Sequence, residues 1–412
     1  MRDLIIEEPY EFVPPYRGRF WVNVIRPLVP WHLKRVYGVE QIECRGLENL
    51  QASISAGHGV LLAPNHCRPC DPVVVTYLAG RLRQPIYIMA SWHLFKHGAF
   101  RRWFIRRMGG FSVYREGMDR TAVSFAVKDL ETAERPLLIF PEGVISRTNE
   151  VLFDLMAGTT FIARSAARKR AKSSSGQVVI HPVAIRYLFH GDIESTLDPV
   201  LTEIEQRLTW RPQSDLSLFD RIYKVGTALL GLKEKEYLGE TREGPLDERV
   251  RRMINGLLEP LENEYVDGER EGDVVTRVKR LRIAILPEMI DGEIDERERD
   301  RRWLQLDDLY LAQQIACFPT DYLAGSAVVE RYLETVERFE EDLTGSARPH
   351  PPMSVVAQVG PALEVSPERS PKGQPDLLLE TLERQLKEMI KDLTEEAQRE
   401  RAEEAKKERH NA

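Results

Sequence analysis

His66 and Asp71 lie five positions apart in the run PNHCRPCDP (64–72), a pairing suited to proton transfer. A carboxylate that accepts a hydrogen bond from one imidazole nitrogen leaves the other free to take a proton, as in a general base with an orienting acid. The same residues have a purely structural reading. Asp-Pro is also a helix N-cap followed by a first helical residue, and a loop histidine can bond to backbone. Two further runs, GGFSVYR (109–115) and IFPEGVISR (139–147), set glycine beside an ionisable residue where a strand would end. Open α/β sheets commonly build their sites at such ends. Cys67 and Cys70 form a C-x-x-C inside the first run. A zinc site would need two more ligands, and Cys44 and Cys317 are isolated, so the pair reads as filler rather than as a metal or redox motif. There is no G-x-x-x-x-G-K-S/T, so a P-loop nucleotide site is not supported.

These runs need elements to hold them. Short apolar runs bounded by Gly or Pro read as buried strands at Val60–Ala63, Ile86–Ala90, Leu137–Phe140 and Val178–Ile185. Helical stretches fall between them, near 72–83, 119–134 and 157–172. That alternation predicts an α/β layer fold. Pro182, inside the last of these strands, favours an edge or a bulge. Residues 191–350 are acidic and helix-forming, with amphipathic spacing in Leu201–Leu208, Glu248–Glu264, Asp273–Ile285 and Ala327–Leu343. SVVAQVGPALEV (354–365) reads as one more strand and a turn. A helix follows, with Leu379, Leu382, Leu386, Ile390 and Leu393 on one face, and the charged residues 394–412 read as its solvated, frayed end.

In their order and spacing, these runs resemble the glycerolipid acyltransferase superfamily, which includes the lysophosphatidic acid acyltransferases. Its four blocks are matched here by Asn65–His66–Asp71 (N-H-x4-D), Gly109 to Arg115, Phe140–Pro141–Glu142–Gly143 (F-P-E-G), and Val179 to Ala184 with its central proline. GLENL (46–50) and QVGPALEV (358–365) are similar to the family's flanking segments. The resemblance implies a glycerol-phosphate-acyltransferase-like core, α/β with a mixed sheet flanked by helices, carrying a large helical insertion. It also implies transfer of an acyl group from a thioester, acyl-CoA or acyl-carrier protein, to the hydroxyl of a lysophospholipid or related lipid acceptor. No cofactor beyond that co-substrate and no metal are expected. On this reading His66 is the general base and Asp71 holds its tautomer. Arg115 binds the acceptor's anionic group, Asn65 belongs to the substrate-binding set, and Glu142 and Gly143 shape the acceptor site. The chain departs from the family after F-P-E-G, where Val144–Ile145–Ser146 replaces the usual Thr-Arg-Ser. Arg147, two positions on, takes the missing cation's part if the loop is re-routed; otherwise the acceptor is a different lysolipid or a lipid alcohol. Two rival readings keep the fold: a catalytically silent lipid-binding module, and an acyl thioesterase.

Charge is divided unevenly along the 412 residues. Residues 1–190 hold 26 Lys and Arg against 16 Asp and Glu, a net of +10, and residues 191–412 hold 32 against 49, a net of −17. Every matched block therefore lies in the cationic part, which points to an anionic partner. RGRFWVNVIRPLVPWHLKRVY (17–37) and the stretch 91–107 interleave Trp and Phe with basic residues, as amphipathic segments at a membrane surface do. No nucleic-acid-binding module accompanies them. With no apolar run of about 18 residues, no transmembrane helix is expected. The acidic start MRDLIIEEPYEF argues against a secretory signal, and four scattered cysteines suit a reducing cytosol. The expectation is a peripheral protein at the inner face of the cell membrane. Five parts follow: an amphipathic segment (1–37), the acyltransferase core (38–190), the acidic insertion (191–350), a final strand and helix of the core (351–393), and a charged tail (394–412).

Overall fold

A computed structural model describes residues 7–117, 119–173, 176–292, 294–318, 320–323, 328–368 and 375–411. Helix α1 (Phe20–Ile25), a 3-10 turn (Arg26–Leu28) and α2 (Val29–Tyr37) come first. Pro27 and Pro30 each fall in the first two positions of the piece they open, where a missing N–H removes no helical bond. Strands and helices then alternate: β1 (Val39–Arg45), α3 (Leu47–Ser55), β2 (Gly59–Pro64), α4 (Asp71–Arg81), β3 (Tyr87–Ser91) and α5 (Ala99–Arg107). They continue with β4 (Gly110–Val113), α6 (Arg120–Thr132), β5 (Leu137–Leu138), α7 (Gly158–Ser173) and β6 (Val178–Phe189). The helices α8 (Ile193–Arg207), α9 (Leu218–Leu238), α10 (Leu246–Tyr265), α11 (Val274–Asp291), α12 (Glu296–Ala316) and α13 (Val329–Thr344) follow. The last elements are β7 (Met353–Val359), β8 (Leu363–Glu364) and α14 (Leu377–Asn411).

Among the described residues eight strands form one mixed sheet in the order β1-β7-β6-β2-β5-β3-β4, with β8 also pairing β6. Pairing is parallel throughout except where β7 and β8 run antiparallel to β6. β2 is buried at every position and β6 at all but Leu188, as expected of interior strands covered on both faces, although β6 also buries His181 and Arg186. After β6 the chain leaves the sheet for α8 to α13 and returns at β7, which inserts between β1 and β6.

Several expectations need correction. Pro182 lies on an interior strand, not an edge. Its carbonyl accepts from Gly360 N at 2.8 Å, so its nitrogen faces the same side, where β6 changes partner from β8 (Ile180 opposite Leu363) to β7 (Val183 opposite Val359). A proline at that break removes no ladder bond. β5 is shorter than predicted because the chain turns out of the sheet towards Pro141, closing with Gly143 N on Phe140 O. α14 runs on past residue 394 to Asn411, and within that end Ala397 is buried and Arg401 bonds the carbonyl of Phe189. β1, α3, α9 and α12 carry no pattern that the sequence reading resolved into elements.

By their contacts the residues fall into two units. One, the α/β unit, holds Phe12–Tyr114, Asp119–His190 and Pro349–Ala412. The other holds, among the described residues, those of 191–348 with residues 7–11 and the short segment 115–117. Within this second unit α10, α11 and α12 share an apolar core around Leu258, Leu281 and Leu309. Helix starts are fixed by Asp192, Ser217, Asp273 and Asp295, each accepting from a backbone N–H of the first turn. Buried pairs such as Arg221–Glu205 and Arg249–Glu234 match part of its acidic charge internally.

Candidate active site

β2 stops at Pro64, opposite Val183, while β6 continues to Phe189. That overhang is the wall on which the His66 loop is seated. Asn65 binds it as a strand residue would: its Nδ2 donates to Ile185 O at 3.0 Å and its Oδ1 accepts from Ile185 N at 2.7 Å. Asn149 repeats the pattern two residues further along β6, donating to Tyr187 O and accepting from Tyr187 N, both at 2.9 Å. The loop is closed from the other side by Ser146 N, which donates to His66 O at 2.7 Å.

Glu142 sits beneath this loop with no exposed surface. One of its oxygens accepts from His66 N at 2.7 Å and the other from Phe153 N at 2.9 Å. Burial pushes its carboxyl up to about 8, against the pull of those two N–H donors. The next residue, Gly143, has φ +67°, and a Cβ there would lie 2.4 Å from the Met156 sulfur. Only glycine makes this turn without displacing its neighbour. Further along the same loop Arg147 also takes a left-handed conformation, with φ 61°, so the chain after F-P-E-G bends sharply a second time.

The imidazole of His66 is held by Nδ1 at 2.8 Å from Asp71 Oδ2 and stacks on the Phe140 ring at 3.9 Å between centroids. Its side chain keeps 14% exposure, and Nε2 makes no hydrogen bond among the described residues. Asp71 is not the helix cap. It is the first residue of α4, after Cys70, and makes no capping bond. Its fully buried carboxylate instead takes three donors: His66 Nδ1 and Arg68 N at 2.8 Å on Oδ2, and the Tyr187 hydroxyl at 2.6 Å on Oδ1. Cys67 and Cys70 are buried thiols, not joined in a disulfide. Burial pushes the Cys70 thiol up to about 12, and its sulfur lies 3.1 Å from the Tyr187 oxygen. Among the described residues no cluster of three His, Cys, Asp or Glu is placed to hold a metal ion.

The α/β unit thus brings together Asn65, His66, Asp71, Glu142 and Gly143. Arg115 is placed differently. Gly109, with φ +92° and a would-be Cβ 2.1 Å from Ile86 O, leads into β4, and two residues past β4 the chain joins the helical unit. There Arg115 is partly buried, which lowers its guanidinium, and its charge reaches Lys279 and Arg282 on α11. Tyr187, Asn149, Ser146 and the stacking role of Phe140 escaped the sequence reading. The one available signal was that Ile185 and Tyr187 share a face of a strand running past the end of β2.

A mixed α/β sheet thus carries a carboxylate-held histidine at the C-terminal end of an interior strand, an arrangement chemically able to take up a proton. Residues 41–186, which contain it, match the family model described as Acyltransferase. Over 107 residues the chain is 34% identical to the 1-acyl-sn-glycerol-3-phosphate acyltransferase of Streptococcus pneumoniae (strain ATCC BAA-255 / R6), covering 26% of this chain and 37% of that protein. This segment of the chain is therefore similar to acyltransferases over residues 41–186. The match spans little more than a third of the relative's length.

Proposed function

We propose that the protein transfers a fatty acyl group from a thioester, acyl-CoA or acyl-carrier protein, to the hydroxyl of a lysophospholipid or related lipid acceptor. The observation that carries this reading is the His66 imidazole, tethered at Nδ1 by a buried carboxylate with Nε2 open. Nε2 takes the acceptor's hydroxyl proton as its oxygen attacks the thioester carbonyl. The C–S bond then breaks, and the departing thiolate takes the proton back from the imidazolium. No acyl-enzyme forms. The N–H groups of His66 and Arg68 are already given to Glu142 and Asp71, so the donors for the oxyanion are other groups. Glu142 and Gly143 act by bracing the His66 loop. Arg115 is assigned to the acceptor's anionic group, and Arg147 is the second candidate for it.

Delivery to a lipid fits the surface of the α/β unit. The two aromatic-basic segments pack together, Trp21 of α1 against Trp103 of α5 at 4.8 Å with Arg107 over both rings. Phe20, Trp31 and Phe100 stay exposed, at 64%, 67% and 77%, among the exposed cations Arg19, Arg35, Arg101 and Arg102. No helix among the described residues is long and apolar enough to cross a membrane. We place the protein peripherally at the anionic inner face of the cell membrane, where cysteine thiols stay reduced.

The test is turnover of radiolabelled acyl-CoA and acyl-carrier-protein donors with and without a panel of lysolipids. Product lipid formed only with an acceptor supports transfer. Free fatty acid formed without one makes the protein a thioesterase. His66→Ala is expected to lower the rate by about 10²–10⁴-fold. Full activity in that variant refutes the mechanism.

A further inference from the structure

Tyr187 lies outside every sequence block that resembles the family, yet its hydroxyl makes a short contact at the site, 2.6 Å from Asp71 Oδ1. A carboxylate can only accept, so the phenolic proton is committed to Asp71. The Cys70 sulfur is 3.1 Å from the same phenol oxygen, and with the tyrosine proton already given away, the thiol is the donor there. The result is one directed chain: Cys70 S–H to Tyr187 O–H to the Asp71 carboxylate, which in turn holds His66 Nδ1–H.

The phenol is not free to swing away from this chain. Tyr187 is fully buried, its backbone is clamped on one side by Asn149, and its ring lies under the Arg68 guanidinium at 5.3 Å. Oδ2 of Asp71 is fixed by the loop itself, through Arg68 N. Oδ1 is fixed by a strand 116 residues away, so the carboxylate plane is set by two unrelated parts of the fold. A carboxylate held at both oxygens presents a fixed direction to His66 Nδ1, and with it a fixed direction for Nε2.

We propose that Tyr187 is a positioning residue of the reaction: through Asp71 it sets the orientation and the basicity of His66. This rests on the general-base reading of His66. The hydroxyl withdraws charge from Asp71. Without it the carboxylate binds the imidazolium more strongly, and His66 keeps its proton to higher pH.

The test is Tyr187→Phe, which keeps the ring and removes one hydrogen bond, assayed with purified full-length protein beside wild type, Asp71→Asn and His66→Ala. We expect kcat to fall by about 10- to 100-fold, as loss of a hydrogen bond to a charged group would give, with KM for donor and acceptor nearly unchanged. The acid limb of the kcat–pH profile is expected to move up by about half a unit to one unit. The pH dependence of His66 acylation by diethyl pyrocarbonate should move in the same direction, which reads the imidazole without turnover. In an Asp71→Asn background the Tyr187→Phe change should shift neither profile further. A lowered urea midpoint with unchanged kcat and unchanged pH profiles would overturn the proposal and leave Tyr187 a packing residue, while an inactive His66→Ala would still uphold the general base. If His66→Ala is as active as wild type, it is the general-base reading that fails.

Discussion

Asp71 has no surface of its own, so everything it does passes through the three donors on its carboxylate. Replacing it with asparagine keeps the volume but introduces an amide donor where Tyr187 and His66 both donate. Either the phenol or the Nδ1–H then loses its acceptor, and the imidazole is free to take the wrong tautomer. Asp71→Asn is expected to lower kcat by about 10³-fold with little change in KM, measured by steady-state kinetics on folded protein. A second buried carboxyl, Asp129 of α6, makes a different prediction. One of its oxygens accepts from Arg135 N at 3.2 Å, the other has no hydrogen-bond partner among the described residues, and burial pushes the group up to about 8 from an ordinary value of 3.8. Between those values the folded protein holds a proton that the unfolded chain has already lost. That contribution to stability is complete below about pH 4 and is lost as pH rises through about 8. Urea unfolding of wild type and Asp129→Asn between pH 5 and 8.5 should show the wild type losing ground to the variant as pH rises. A pH-independent difference would mean that Asp129 is ionised throughout.

At the scale of elements, the overhang of β6 beyond β2 decides the site. The strand does not end with its neighbour; it continues for Ala184–Phe189 and offers backbone that two asparagine side chains pair in place of a strand. Asn149→Ala leaves the Tyr187 N–H and carbonyl buried without that partner. A loss of about 2–4 kcal/mol in urea unfolding is expected, together with a fall in activity as the phenol loses its register. A stable variant of full activity would show that the overhang holds its own shape. The sequence made the helices legible where apolar residues recur on one face, as in α10, α11 and α13. It left α12 unread, because its first turns, ERERDRR, look like a solvated charge run. In the fold Arg302 is buried there, bonding Ile285 O and pairing with Glu298.

At the scale of the whole molecule, the proposed membrane contact makes a prediction from the division of charge. The cationic, aromatic surface built by α1, α2 and α5 predicts binding to vesicles that increases with anionic lipid content. Sedimentation with vesicles should fall several-fold between about 50 and 500 mM salt, since exposed charges are screened over about 10 Å or less. Replacing Phe20, Trp31 and Phe100 with serine should weaken binding at low salt and leave the turnover of a detergent-dispersed acceptor largely unchanged. Binding that ignores both salt and lipid charge would refute this surface as the point of contact.

Much about the protein was written locally. A histidine, an aspartate and their spacing, a glycine after a buried glutamate, and the alternation of strand and helix are all properties of neighbouring residues, so the sequence alone pointed to the α/β core and to the His66–Asp71 pair. The open choice between Asp71 as helix cap and Asp71 as partner of His66 was not local, and the fold decided it by turning the carboxylate onto Nδ1 and Tyr187. Nor was the insertion of β7 between β1 and β6, the interior place of Pro182, or the grouping of Arg115 with the helical unit. Each depends on which strands pair, in which register, and how far one outruns the next. Those choices are made by contacts between residues far apart in the chain, and no pattern of near neighbours records them.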